Sequence, residues 1–368
     1  MATLSPAERT QLRDALKRLL ADKSKEADVR RVMEEPRGYD PALWAALAEM
    51  GVVGLLAPEE CGGAGAGPIE MEIVMEEAGA SLLCSPLLSS GVLAVAALNA
   101  SGDRAAQMRL APAIADGTHI ATLAFTGPRG SWTEEGVDVR AARKGDAWAL
   151  SGVADYVTHA QCADVLLVIA ITDAGTALFE VAPDSVEIAA LPTFDHTLRM
   201  AKVTFADAPA RLICAEGAGW AIAEAALAMA RVALAGDQAG GGARLLDMTV
   251  EYAKTRVQFG RQIGSFQAIK HMAADLLLES ESSISAARAA AQALADGAPD
   301  APAAISLAAF ACADAYVQIA ATSVQMHGGI AFTWDHPAHL YLRRARADAR
   351  LFGAPDVHRE RYIRQLEG

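Results

Sequence analysis

Few side chains in this 368-residue sequence stand where type and spacing suggest chemistry. In RVQFGRQIGSFQAIK, Arg256 precedes Phe259 by three residues and Gln267 follows. A guanidinium fork suits phosphate oxygens, although one such arginine is equally a surface charge and one such phenylalanine a core aromatic. His336 and His339 offer two imidazoles at i and i+3, but no third ligand stands nearby, so no metal is expected. The run CGGAGAG, Cys61 to Gly67, follows no strand-like segment and precedes no Lys-Ser/Thr. That separates it from a phosphate loop and makes it a connection between helices.

The elements that must position these residues follow from periodicity. From Ser5, an N-cap followed by Pro6, to about Asp116, apolar residues recur at three- and four-residue intervals, predicting helices. Between Thr118 and Leu212 the pattern changes to short runs rich in branched residues, among them ATLAFT, DVLLVIAI, ALFEVA and AKVTFADA. Those runs predict strands, with a hairpin at Lys144-Gly145-Asp146 and a second join at Thr172 to Thr176. Helical periodicity resumes after Gly217, broken near Gly297 and at His327 to Gly329. The expected fold is therefore α+β, with a helical domain over 1–117, a β-domain over 118–212 and a helical bundle over 213–368. No alternating β-α pattern appears, so a doubly wound nucleotide fold is not expected.

Composition excludes several functions. With 32 Lys and Arg against 45 Asp and Glu, the net charge of -13 argues against nonspecific nucleic-acid binding. The longest uncharged stretch, Ala78 to Gly102, is interrupted by Pro86, Gly91 and serines, which predicts buried soluble helices and no membrane insertion. The N-terminus is charged and amphipathic without a secretory pattern. Five cysteines, none in Cys-x-x-Cys spacing, suit a reducing compartment, and a cytoplasmic location is expected.

Two blocks carry a resemblance. The segment Arg256 to Leu276, with Arg-x-x-Phe-Gly and a later Phe-Gln, is similar to the signature of the acyl-CoA dehydrogenase family, and QMHGGIAFTWDHPAHLYLRRAR resembles its Gln-x-x-Gly-Gly motif and following arginine-bearing helix. WAALAEMGVVGLLAPEECGGAG and YVTHAQCADVLLV extend the likeness over nearly the whole chain. The resemblance implies a helical N-terminal domain, a central β-barrel or sandwich, and a C-terminal four-helix bundle, with FAD between the β-domain and the bundle and reaching a neighbouring subunit. It implies that Thr126 and Thr158 hydrogen-bond the flavin ring, that Tyr156 replaces a tryptophan beside it, and that Ser131 lies near the pyrophosphate. GPRGSW departs there from the family's Glu-Pro-Gly-Ala-Gly-Ser-Asp. Arg256, with Phe259 and Gln267, would serve the adjacent subunit's FAD, which Gln325, Gly328 and Gly329 would approach closely. Arg231 matches a substrate-side arginine.

The family's reaction needs a carboxylate to take the α-proton of an acyl-CoA while the β-hydrogen leaves as hydride. An ungapped match places the usual glutamate at Phe352. The other family seat, directly before Arg231, holds Ala230. Asp237 lies seven residues further along the same helix face, about 10 Å away at 1.5 Å per residue, a distant substitute or a structural acid. Losing a general base typically costs on the order of 10² to 10⁴ in rate. The resemblance therefore implies a base-lacking subunit of a hetero-oligomer whose partner is a catalytic homologue, with an electron-transfer flavoprotein or similar acceptor. Members acting on steroid side chains or other bulky CoA esters form such mixed oligomers. Three other readings stay open: a homo-oligomer using Asp237 or another acid, a flavin-dependent monooxygenase fed by a flavin reductase, and a non-enzymatic acyl-CoA or partner-binding module.

Overall fold

The computed structural model describes residues 4–367. Helix α1, Pro6–Lys23, starts at a capping box. The Glu8 N–H donates to Ser5 Oγ at 3.3 Å, and the Glu8 carboxylate accepts from the Ser5 N–H at 2.7 Å. Helices α2 (Glu26–Val32), α3 (Pro41–Glu49) and α4 (Pro68–Ala80) follow. CGGAGAG links a short 3₁₀ turn, Glu59–Cys61, to α4. The uncharged stretch becomes a fully buried π-helical segment, Leu88–Ala94, running into α5, Val95–Ala100, before α6, Arg104–Ala115.

The strand-like runs form one seven-stranded sheet within 121–212, inside the interval the pattern predicts. Its strands are β1 (Ala121–Ala124), β2 (Arg140–Lys144), β3 (Ala147–Thr158), β4 (Val165–Thr172), β5 (Gly175–Val181), β6 (Glu187–Ala190) and β7 (Met200–Leu212). Lys144 pairs with Ala147 across Gly145-Asp146, the expected hairpin. Because β5 pairs with both β4 and β7, the chain β4-β2-β3-β7-β5 closes on itself as a small barrel, with β1 and β6 added outside it. Leu150, Leu166, Val168, Phe179 and Val203 fill the interior, and closure leaves no long unpaired edge.

The remaining chain gives α7 (Gly219–Thr255), a two-residue hairpin β8 (Val257–Gln258) and β9 (Arg261–Gln262), α8 (Gln267–Ala295), α9 (Ala301–His327), α10 (Ala338–Asp348) and α11 (Pro355–Glu367). By contacts, the described chain divides into two compact units. One holds Arg31–Gly67 and Cys84–Ala230; the other holds Leu4–Arg30, Pro68–Leu83 and the chain from Arg231 on. Helices α1 and α4 therefore pack with the C-terminal helices, α1 against α4 and α4 against α8. The run AGGG, Ala239 to Gly242, explains the closeness of α4 and α7. A Cβ on Gly240 would overlap the Glu76 carbonyl oxygen, and one on Gly79 would overlap that of Asp237. Only glycine lets two backbones meet so closely.

Candidate functional site

In the β-domain, Thr126 follows β1 and Thr158 ends β3. The Thr122 hydroxyl donates to the Thr158 carbonyl at 2.6 Å, and the Asp155 N–H donates to the Thr126 carbonyl at 2.6 Å, so both backbones are fixed. Their hydroxyls are not. Both residues are 2% exposed, and neither Oγ1 has a partner among the described residues. An unsatisfied buried hydroxyl costs about 1–3 kcal/mol, so two of them in the β-domain call for a polar group from outside the chain. This donor and acceptor set fits the flavin ring that the resemblance implies. A register shift between Ala154 and Val157 lifts Tyr156 out of the ladder at φ 56°, leaving its side chain 40% exposed as an accessible aromatic face. Ser131 is half-buried, its hydroxyl 2.9 Å from that of Thr133, in the loop where Phe125 and Trp132 pack at 5.6 Å.

In the bundle, the ends of α7 and α9 are tied together: the Tyr252 and His327 rings lie 4.5 Å apart and Tyr252 Oη donates to the His327 carbonyl at 3.4 Å. From this end emerge the hairpin and the Gly328–Phe332 turn. Arg256 is exposed, and its guanidinium has no partner among the described residues. Phe259 is 91% exposed at φ 52°, edge-on to Phe266 at 6.1 Å. Gln267 is exposed at the start of α8, beside His271 at 3.4 Å, and Gln325, Gly328 and Gly329 are exposed as well. Gly328 adopts φ 71°, ψ −152°, a conformation open essentially to glycine alone. A Cβ on either glycine would meet nothing within 4 Å in this chain, so close approach at Gly329 needs a group from outside it. His336 and His339 are engaged locally. The His336 ring packs at a tilt against that of His327, centroids 4.4 Å apart, and His339 Nδ1 lies 2.7 Å from the His336 carbonyl.

The seats for a base look different. Ala230 is fully buried. Phe352 is 1% exposed at φ 60°, and its carbonyl accepts from Arg231 Nε at 3.4 Å. The Phe352 ring is enclosed by protein. Asp237 is 3% exposed and paired with Arg344, whose Nη1 lies 3.2 Å from Oδ1 and 3.4 Å from Oδ2.

Of the polar groups beside Phe352, sequence reasoning singled out Arg231 and missed Gln238, Asp348 and His358. Arg231, Gln238, Asp348 and His358 line a cavity of about 10 Å³, at the lower limit for one water. His358 is 2% exposed and its Nδ1 lacks a protein partner; burial first, then the positive charges of Arg231 and Arg361, push it down to about 4. It is a neutral imidazole at physiological pH. The only signal was a histidine in a helix otherwise full of solvated charge, a weak one.

Comparisons with known proteins identify the family and the fold. The acyl-CoA dehydrogenase N-terminal domain matches residues 6–118 and the acyl-CoA dehydrogenase C-terminal domain matches residues 217–367. The chain belongs to the acyl-CoA dehydrogenase family, whose members are oxidoreductases that bind FAD. It is 35% identical over 367 residues to acyl-CoA dehydrogenase IpdE2 of Mycobacterium tuberculosis (strain ATCC 25618 / H37Rv), spanning 98% of this chain and 97% of that one. The ChsE4-ChsE5 complex of Mycobacterium tuberculosis contains a chain with 29% identity and a TM-score of 0.90, covering 100% of this chain and 99% of its own. The Tcur3481-Tcur3483 steroid ACAD has 28% identity and a TM-score of 0.87, with 98% of each chain covered.

Proposed function

We propose that this chain is the base-lacking subunit of a mixed acyl-CoA dehydrogenase, paired with a homologue that carries the carboxylate. The observation behind this reading is the filled seat at Phe352: no acid stands there, none at Ala230, and Asp237 is committed to Arg344. FAD, when bound, accepts the β-hydrogen of the acyl thioester as hydride. The chain's own residues would act around it. Thr126 and Thr158 would orient the ring through their unpaired hydroxyls, and Tyr156 would cover it. At the exposed bundle end, Arg256, Gln325, Gly328 and Gly329 would reach the cofactor of the neighbouring subunit. Val257, Phe259, Ile330, Phe332 and Trp334 leave large apolar side chains exposed on the two segments of that end, as a surface destined for a second chain would.

Both structural relatives described above are two-component complexes by name, one of them a steroid ACAD, which supports a mixed oligomer and a bulky acyl group. An electron-transfer flavoprotein or similar carrier is the acceptor this reading requires. The homo-oligomer alternative needs a free acid, and the Arg344 pairing disfavours Asp237 for that role. Co-expression with an adjacent acyl-CoA dehydrogenase-like gene, followed by native mass and flavin content, tests the reading. A stable complex whose flavin reduction depends on the partner's glutamate supports it; a fully active homo-oligomer of this chain overturns it.

A further inference from the structure

The loop that carries Gly328 and Gly329 starts and ends on imidazoles. His327 closes α9 and His336 stands just before α10, and their ring centroids lie 4.4 Å apart, so Gly328 to Asp335 forms a loop clasped at its base. The Tyr252 ring of α7 is the third member of the clasp, 4.5 Å from His327 and 6.2 Å from His336. The His327 side chain is buried, and its Nδ1 lies 2.8 Å from the Ser323 carbonyl. A carbonyl only accepts, so Nδ1 carries the proton and the ring is fixed to its own helix. His336 Nδ1 accepts from the Ala338 N–H at 3.2 Å, which fixes the second imidazole to the start of α10. Burial holds both imidazoles below their ordinary value of 6.5, so the rings meet uncharged at neutral pH. Tyr252 also reaches the other exposed segment of this end. Its carbonyl accepts the Arg256 N–H at 2.8 Å in the last turn of α7, while its hydroxyl donates to the His327 carbonyl at 3.4 Å, on the peptide that leads into Gly328. One residue therefore joins the arginine to the glycine turn.

We propose that Tyr252 is a positioning residue for the neighbouring subunit's flavin: its side chain holds the His327–His336 clasp and its carbonyl holds Arg256, which keeps the guanidinium and the glycine turn at one spacing. The proposal rests on the reading that Arg256, Gln325, Gly328 and Gly329 reach that cofactor. Groups already held at their binding distance lose less freedom on binding than groups that must first be ordered. The test is a double-mutant cycle in the co-expressed complex, stripped of flavin, with FAD binding curves measured by equilibrium dialysis. Arg256→Ala and Tyr252→Leu should each weaken FAD by about tenfold, and the double variant by less than about thirtyfold, because Tyr252 acts through Arg256. Tyr252→Phe keeps the ring in the clasp and should stay within about threefold of the unmodified complex. Normal FAD binding by Tyr252→Leu beside a weakened Arg256→Ala overturns the positioning role and leaves the reading of Arg256 standing. A loss of about a hundredfold in the double variant also overturns it, since the two residues then act independently. Normal binding by Arg256→Ala overturns the reading and the proposal together. His336→Leu opens the clasp from its other side without touching α7 and should show the same loss as Tyr252→Leu. Normal FAD affinity in a folded His336→Leu complex overturns the proposal even where Tyr252→Leu does not fold.

Discussion

Asp237 and Arg344 form a buried ion pair, Oδ1 to Nη1 3.2 Å, with side chains 4% and 6% exposed. Arg344 Nη2 also donates to the Leu83 carbonyl at 3.2 Å, so α7, α10 and the end of the α4 turn meet at one guanidinium. An acid held this way is a structural part, whatever its distance from a thioester. Breaking a buried pair by removing one charge costs about 3–5 kcal/mol, because the other charge stays behind. Asp237→Asn should therefore lower unfolding stability by about 3 kcal/mol in denaturant titration, with flavin reduction by the assembled complex retained below its melting point. A loss of several orders in turnover at unchanged stability would restore Asp237 as a base.

The two bare hydroxyls predict opposite effects in the two states of the protein. Thr158→Val removes an unsatisfied buried oxygen at constant shape, so the flavin-free protein should be unchanged or more stable by about 1 kcal/mol. The flavin-loaded protein should lose cofactor affinity by about tenfold, measured by equilibrium dialysis. Equal destabilisation of both forms would mean that the hydroxyl serves only the fold.

Arg256 is held by its backbone, its N–H donating to the Tyr252 carbonyl and its carbonyl accepting from Ile263, while its side chain is exposed. Arg256→Ala should leave the melting temperature of the isolated chain within about a degree, since exposed substitutions usually fall within about 0.5 kcal/mol. Flavin retention in the neighbouring subunit should drop, by absorbance after gel filtration. Full retention in the assembled complex would remove Arg256 from the cofactor surface.

His358 sets an acid limit. Its folded value of about 4 lies below the ordinary 6.5, so the unfolded chain takes up the proton first. Stability from this residue is complete above pH 6.5 and is lost as pH falls towards 4, by up to about 3 kcal/mol. Unfolding curves at pH 4.5, 5.5 and 7 should show His358→Gln losing less stability on acidification than the unmodified protein.

Local features of this fold were legible and distant ones were not. The Ser5 capping box, the Gly145-Asp146 hairpin and the helix stop at Gly328 each depend on neighbours within a few residues, where cap and turn chemistry is written in the sequence. Barrel closure depends on β5 pairing at once with β4 and β7, and nothing local in Gly175–Val181 announces two partners. Arg344 reaches Asp237 across 107 residues of sequence, so the acid could be found but not its fate. The reason for the glycines of Ala239 to Gly242, two backbones in contact, lies in α4 and not in their own stretch of sequence. Glu72 escaped notice because the mix of acids and apolar residues in EMEIVMEE, Glu70 to Glu77, resembles an ordinary solvated helix, and only packing buries it.

In the proposed function this chain holds a flavin surface but no working base. Anaerobic titration of the purified chain with octanoyl-CoA and with a steroid side-chain CoA thioester, following flavin absorbance, tests it most directly. Flavin bound to the isolated chain should stay oxidised, and bleaching should appear in the co-expressed complex in proportion to the partner's intact carboxylate. Robust bleaching by the unmodified chain alone, at one flavin per subunit, would contradict it.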